Sequence, residues 1–147
     1  LSPPLRLEDD RLSLVQGVKD GLIDVIISDH MPEDEESKRL PFLQAATGAI
    51  GIETLLPLAL EMHHNESLPL NKIIETLTIN PAKILQINKG TLIKGSDGDI
   101  CVLDLDAPWV VKAEKLKSKS KNTAIEGRKL QGKILMTFLN GELAFNQ

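Results

Sequence analysis

Tyrosine is absent from the 147 residues, and the aromatic side chains amount to one Trp and three Phe, the one departure from an ordinary globular composition. Cysteine occurs once, at Cys101, so an internal disulfide is excluded and a reducing, cytoplasmic setting fits. No apolar run reaches membrane length, because Gly, Glu or Pro interrupts every long stretch. There is no excess of basic residues: the net charge is −4, and Lys and Arg are scattered. The Lys-rich stretch 112–121 therefore reads as a solvated loop, and a nucleic-acid face is not expected. There is no His-x-His, CxxC or HExxH, and a catalytic zinc site needs about three protein ligands. No initiator Met opens the chain; it begins Leu1-Ser2-Pro3-Pro4, as though entering mid-fold, and a fragment of a longer protein is expected. No signal peptide is visible.

What is there divides into two characters. Residues 8–19 read as a helix with acids in the first turn, a Leu12/Val15/Val18 stripe and Gly21 after its end. Residues 23–28, β-branched and preceded by Asp20-Gly21, read as a buried strand. Segment 31–41, acidic then basic, reads as a mobile surface loop. Helices follow at about 52–64, with Pro57 in its first turn, and at about 70–78. A short one runs from an Asn80 cap with Pro81 at its first position through Leu85. Past Lys89-Gly90 the pattern becomes strand and turn: 100–105, 109–112, 134–139 and 142–145, with Asn140-Gly141 as a hairpin signal. Gly95–Asp99 reads as a turn before the first strand, and Cys101 as a small buried hydrophobe inside it. The boundary is placed at 86–91. One parallel-type strand cannot make a sheet alone, so further βα units are expected elsewhere.

Asp29-His30, at the end of the expected strand, carries the chemistry. Parallel α/β folds build active sites at that edge, and a carboxylate there suits metal-assisted hydrolysis. The competing reading is a strand stop followed by a loop. His63 and His64 are adjacent near a helix end and face different directions, which favours a helix-dipole role over metal ligation. Glu33 is the member of the acidic run Glu33–Glu36 nearest the strand edge. The glycines of 48–51 suggest close backbone approach to something and are too irregular for a phosphate loop.

Six stretches together resemble a known family. Ser2-Pro-Pro-Leu-Arg6 and Asp20-Gly-Leu-Ile-Asp-Val-Ile-Ile-Ser-Asp-His30 resemble the last barrel strand of the dihydroorotases of the long, bacterial-type class. Thr78-Ile-Asn-Pro-Ala-Lys-Ile-Leu85 and Lys89–Asp99 are similar to the amidohydrolase signature that follows it. Ser118–Gly127 and Gly132–Thr137 are similar to the dihydroorotase and allantoinase tail. The resemblance covers essentially the whole chain. It implies the C-terminal part of a TIM (β/α)8 barrel over 1–88 and the C-terminal part of a small β-sandwich over 89–147. It also implies reversible closure of N-carbamoyl-L-aspartate to L-dihydroorotate, in pyrimidine synthesis, with one or two zinc ions held mostly by ligands outside this chain. On this resemblance Asp29 is the metal-binding carboxylate and proton shuttle, Thr47-Gly48 hold the substrate ring through backbone groups, and His30 orients the strand end. Arg6 closes the Pro-Pro-Leu-Arg motif and is a candidate substrate contact.

Three positions depart from the family pattern. Ser2 stands where Asn is usual, Glu33 where a substrate-contacting His is usual, and Thr47 where Phe is usual. Glu33 adds negative charge near an anionic substrate. Alternatives therefore stand beside the dihydroorotase reading: an allantoinase- or hydantoinase-like cyclic amidohydrolase, or a non-catalytic scaffold that partners aspartate carbamoyltransferase. A homo-oligomer is a further possible assembly, and the isolated piece is expected to be inactive.

Overall fold

Three acids, Glu8, Asp9 and Asp10, favour a helix start, and the Asp10 carboxylate accepts the Leu7 N–H at 3.1 Å. The resulting helix α1 spans Glu8–Asp20, with Gly21 after its end. In the computed structural model, which describes residues 1–66 and 68–147, α2 (Glu35–Arg39), α3 (Leu55–Glu66), α4 (Leu70–Leu77) and α5 (Ile79–Ile84) follow. Pro57 sits in the first turn of α3, where its missing N–H costs no helical bond. A three-stranded antiparallel sheet completes the chain in the order β1 (Ile100–Val110), β2 (Lys129–Leu139), β3 (Glu142–Asn146). Asn140 (φ 52°) and Gly141 (φ 80°) both take the left-handed conformation that a two-residue β2–β3 turn requires.

The apolar faces meet in two clusters. Val18 of α1, Ala59 of α3, Leu68 just before α4, and Ile73 of α4 form the first, with Ile23 and Ile26 packed against it. Ile50, Val111, Leu116 and Leu130 form the second, flanked by Leu58 and Trp109. Helix α3 thus serves both, with Ala59 facing one and Leu58 the other. Ion pairs staple it outward: Glu66 to Arg11 of α1 at 2.8 Å, and Glu61 to Arg128 at 2.7 Å. Arg11 also pairs with Glu8, and that guanidinium holds the Glu8 carboxyl below its usual value.

Several expectations are corrected. Residues 23–28 form no ladder; the sole pairing near them is a parallel bridge between His30 and Ala49. A strand needs a neighbour, and among the described residues none runs beside this segment. Ile26 N–H instead donates to the Thr76 carbonyl at 3.2 Å, and Ile27 is 70% exposed rather than buried. Asn80 is not a cap: Thr78 precedes α5, and Asn80 lies inside it, donating from Nδ2 to the Asp24 carbonyl at 2.9 Å. The loop 31–41 contains α2, capped by Asp34, whose carboxylate accepts the Ser37 N–H at 2.7 Å and is thereby lowered in pKa. The two strands expected at 100–105 and 109–112 are one. Asp104 Oδ1 accepts the Asp106 and Ala107 N–H groups, each at 3.0 Å, and so carries the backbone through the irregularity before Pro108. Cys101 is exposed, because nothing among the described residues packs over that end of the sheet.

Candidate functional site

The extended segment 23–29 is carried by backbone and side-chain bonds from α4 and α5, and it ends at Asp29. Asp29 has φ 42°, a left-handed conformation that is uncommon for a residue with a Cβ and that Asp tolerates better than most. Such backbone outliers concentrate where a side chain must be aimed. Asp29 lines a cleft of about 760 Å³, together with Ser2, Ser28, Gly48 and Thr54. Arg11 and Arg128 also reach this cleft, each already paired with a glutamate.

His30 turns the other way. Its Nδ1 accepts the N–H groups of Gly51 at 3.1 Å and Ile52 at 3.3 Å, so the neutral ring carries its proton on Nε2. That contact ties the end of the Asp29 segment to the entry of α3. The adjoining bridge adds Met31 N–H to the Ala49 carbonyl at 2.9 Å.

Ser2 and Gly48 share the cleft with Asp29, whereas Arg6, Glu33 and Thr47 do not line it. Arg6 is exposed and lies 3.8 Å from the Asp10 carboxylate. Thr47 is exposed. Glu33 lines a neighbouring cleft of about 650 Å³ with Lys38, Lys119 and Asn122. Gly48 is buried with φ 121°, and a Cβ there would come within 2.8 Å of Met31 Cβ and 2.9 Å of its carbonyl oxygen. Only glycine fits both the angle and the space.

His63 and His64 lie at the end of α3, outside the cleft. Each ring engages a carbonyl: His63 Nδ1 that of Leu68 at 2.8 Å, His64 Nε2 that of Leu105 at 3.2 Å. Among the described residues no group of three His, Cys, Asp or Glu side chains is close enough to hold a metal ion. The residues present fit a metal as a single-carboxylate contribution, through Asp29.

Two residues that the sequence does not single out also shape the site. Lys38 Nζ donates to the Ala46 and Gly48 carbonyls at 2.7 and 3.0 Å. Asn122 Nδ2 donates to the same Gly48 carbonyl at 3.2 Å. Lys38 sits in what reads as a solvated charge run, and Asn122 in the tail; neither has a local spacing signal.

Comparison with known proteins bears on this geometry. The chain is 45% identical over 145 residues to the dihydroorotase of Ehrlichia chaffeensis, a match covering 99% of this chain and 32% of the relative. It is 41% identical to the dihydroorotase of Aquifex aeolicus, covering 99% of this chain and 34% of that protein. The chain therefore spans about a third of the length of these relatives. Its structure superposes on an L-hydantoinase (dihydropyrimidinase) from Arthrobacter aurescens with a TM-score of 0.92 and 32% identity, covering 99% of this chain and 34% of that one. The model of the amidohydrolase family matches residues 2–144, and the chain belongs to that family.

Proposed function

We propose that this chain is the C-terminal third of a zinc-dependent amidohydrolase of dihydroorotase type. On this reading residues 1–88 close a TIM barrel and residues 89–147 complete a small β-sandwich. The reaction is the reversible cyclisation of N-carbamoyl-L-aspartate to L-dihydroorotate, a step of pyrimidine synthesis, in the cytoplasm. The observation that carries it is Asp29, held at an unusual backbone angle on the lining of a cleft, in a chain 40–45% identical end to end to dihydroorotases.

Zinc, when bound, would acidify the attacking water and polarise the ring carbonyl, with Asp29 as one ligand and the rest supplied from outside these residues. The chain's own work is then proton transfer and positioning. The Asp29 carboxylate accepts the proton of the attacking water at one oxygen and returns it to the departing ring nitrogen. In the cyclising direction the same carboxylate takes the proton from the carbamoyl nitrogen. His30, with both neighbouring N–H groups on Nδ1, holds the segment that aims Asp29. Backbone groups of Thr47-Gly48 hold the substrate ring, and Ser2, which lines the same cleft as Gly48, contacts it. Arg6 and Glu33 would reach the substrate only once the remaining chain encloses the site.

The hydantoinase superposition supports a second reading, a cyclic amidohydrolase acting on a different ring, and Ser2, Glu33 and Thr47 are where the two would differ. The test is zinc content and hydrolysis of dihydroorotate and of hydantoin by the full-length protein, with Asp29→Ala alongside. Bound zinc and dihydroorotate turnover that collapses in the variant establishes the reading. Turnover of hydantoin alone moves the substrate to the second. A folded protein with neither zinc nor turnover leaves a scaffold, to be examined for binding to aspartate carbamoyltransferase.

A further inference from the structure

The segment after Asp29 and the loop around Gly48 are joined directly by the His30–Ala49 bridge, by the Ala46 N–H on the Ser37 carbonyl at 3.1 Å, and by Lys38 Nζ on the Ala46 and Gly48 carbonyls. A third segment, 117–122, does the rest. Its start is anchored by Glu53, whose carboxylate accepts the N–H groups of Lys117 and Ser118 at 2.9 and 3.0 Å. Its end is Asn122, which reaches both loops with one side chain. Oδ1 accepts the Glu33 N–H at 3.3 Å, and Nδ2 donates to the Gly48 carbonyl at 3.2 Å. The Asn122 main-chain carbonyl accepts the Ile50 N–H at 3.1 Å. Ser120 Oγ lies against both the Glu33 carbonyl and Asn122 Oδ1, with one proton to share between them.

This joint matters because Gly48 cannot hold its own orientation. A glycine at φ 121° has no side chain to restrict it, and its rotation is limited by what grips its peptide. Its carbonyl is gripped twice, by Lys38 Nζ and Asn122 Nδ2. Because the peptide unit is planar, fixing that oxygen fixes the plane through to Ala49.

We propose that Asn122 is a positioning residue that sets the Gly48 backbone against the Asp29 loop, with Lys38 as the second donor on the same carbonyl. The proposal rests on the reading of that backbone as a substrate contact. Asn122 itself does not line the Asp29 cleft, so it acts through Gly48.

The test uses the zinc-loaded full-length protein and two variants. Asn122→Asp keeps the acceptor for Glu33 N–H and removes the donor to Gly48. Asn122→Ala removes both. The readouts are KM and kcat for dihydroorotate, and amide hydrogen exchange at residues 47–50 with α1 as the internal reference. For the loss of one positioning hydrogen bond, the expected results are a rise of about tenfold in KM and in exchange at 47–50, with kcat within about threefold of the parent. Exchange in α1 should be unchanged. Folded variants with unaltered KM and unaltered exchange overturn the proposal. So does a kcat loss as deep as that of Asp29→Ala at constant KM, which would make Asn122 part of the chemistry. Failure of both variants to fold overturns it as well, in favour of a purely structural role. If the parent turns over no dihydroorotate, the dihydroorotase reading falls, and the exchange measurement alone decides the positioning of Gly48.

Discussion

Asp29 and Gly48 face the same cleft for opposite reasons, one for its carboxylate and the other for having no side chain at all. On the proposed reading, replacing the first removes a proton carrier. Asp29→Ala in the full-length protein should lower kcat by on the order of 10²–10⁴, the usual worth of a positioned acid–base group, with little change in thermal stability. Replacing the second attacks the fold. Gly48→Ala must place a Cβ within 2.8 Å of Met31 Cβ at a φ of 121°, and urea unfolding should report a loss of about 1–3 kcal/mol. His30 lies between these cases. His30→Ala leaves the Gly51 and Ile52 N–H groups without their acceptor, in a half-exposed place that water reaches in part. A stability loss of about 1 kcal/mol is expected in the same unfolding measurement. In the sequence, Asp29 stands out because it ends an apolar β-branched run. Asn122 has no such mark, because its partners lie 89 and 74 residues away and no local spacing encodes them.

At the level of elements, what is local was legible and what depends on a neighbour was not. Helices α1, α3 and α4 follow from acids at the start, Pro57 in a first turn and apolar spacing, and the Asn140-Gly141 hairpin from a two-residue signal. The irregularity in β1 rests on a single Asp104 side chain bonding its own strand, and so reads as a break between two strands. Segment 23–28 has strand composition but, among the described residues, no paired strand. Lys89 shows how an apparent turn is locked: its ammonium reaches Asp97 and Asp99, each at 2.6 Å, and Asp99 also accepts the Asn140 N–H at 2.8 Å. That N–H, with the Lys89 ammonium, holds the Asp99 carboxyl below its ordinary value. A lowered carboxyl pKa in the folded state contributes stability above the unfolded value, and this is lost as pH falls through the folded one. Asp99→Ala should therefore melt lower than the parent at pH 7, and the gap should close as the pH falls below about 4. Thermal melts across that range provide the check.

For the whole molecule, the distribution of apolar surface is the dominant fact. Leu22, Ile27, Phe42, Leu43, Leu85 and Leu92 are each at least 67% exposed, and a net charge of −4 provides little repulsion to keep copies apart. The 147-residue chain expressed alone should self-associate at micromolar concentration, as sedimentation would register, and should hydrolyse no dihydroorotate. A monodisperse, active isolated chain would contradict the reading of it as one third of an enzyme.

Asn122 also imposes an order in time. Glu33 leaves the ribosome 89 residues before the side chain that accepts its N–H, at ordinary synthesis rates an interval on the order of ten seconds. Throughout that interval Asp29 has been made, yet the joint across Glu33 and Gly48 cannot exist. A nascent chain stalled before residue 122 would carry the Asp29 carboxylate without the joint across Glu33 and Gly48, so this part of the site is completed by a late long-range contact rather than early in folding.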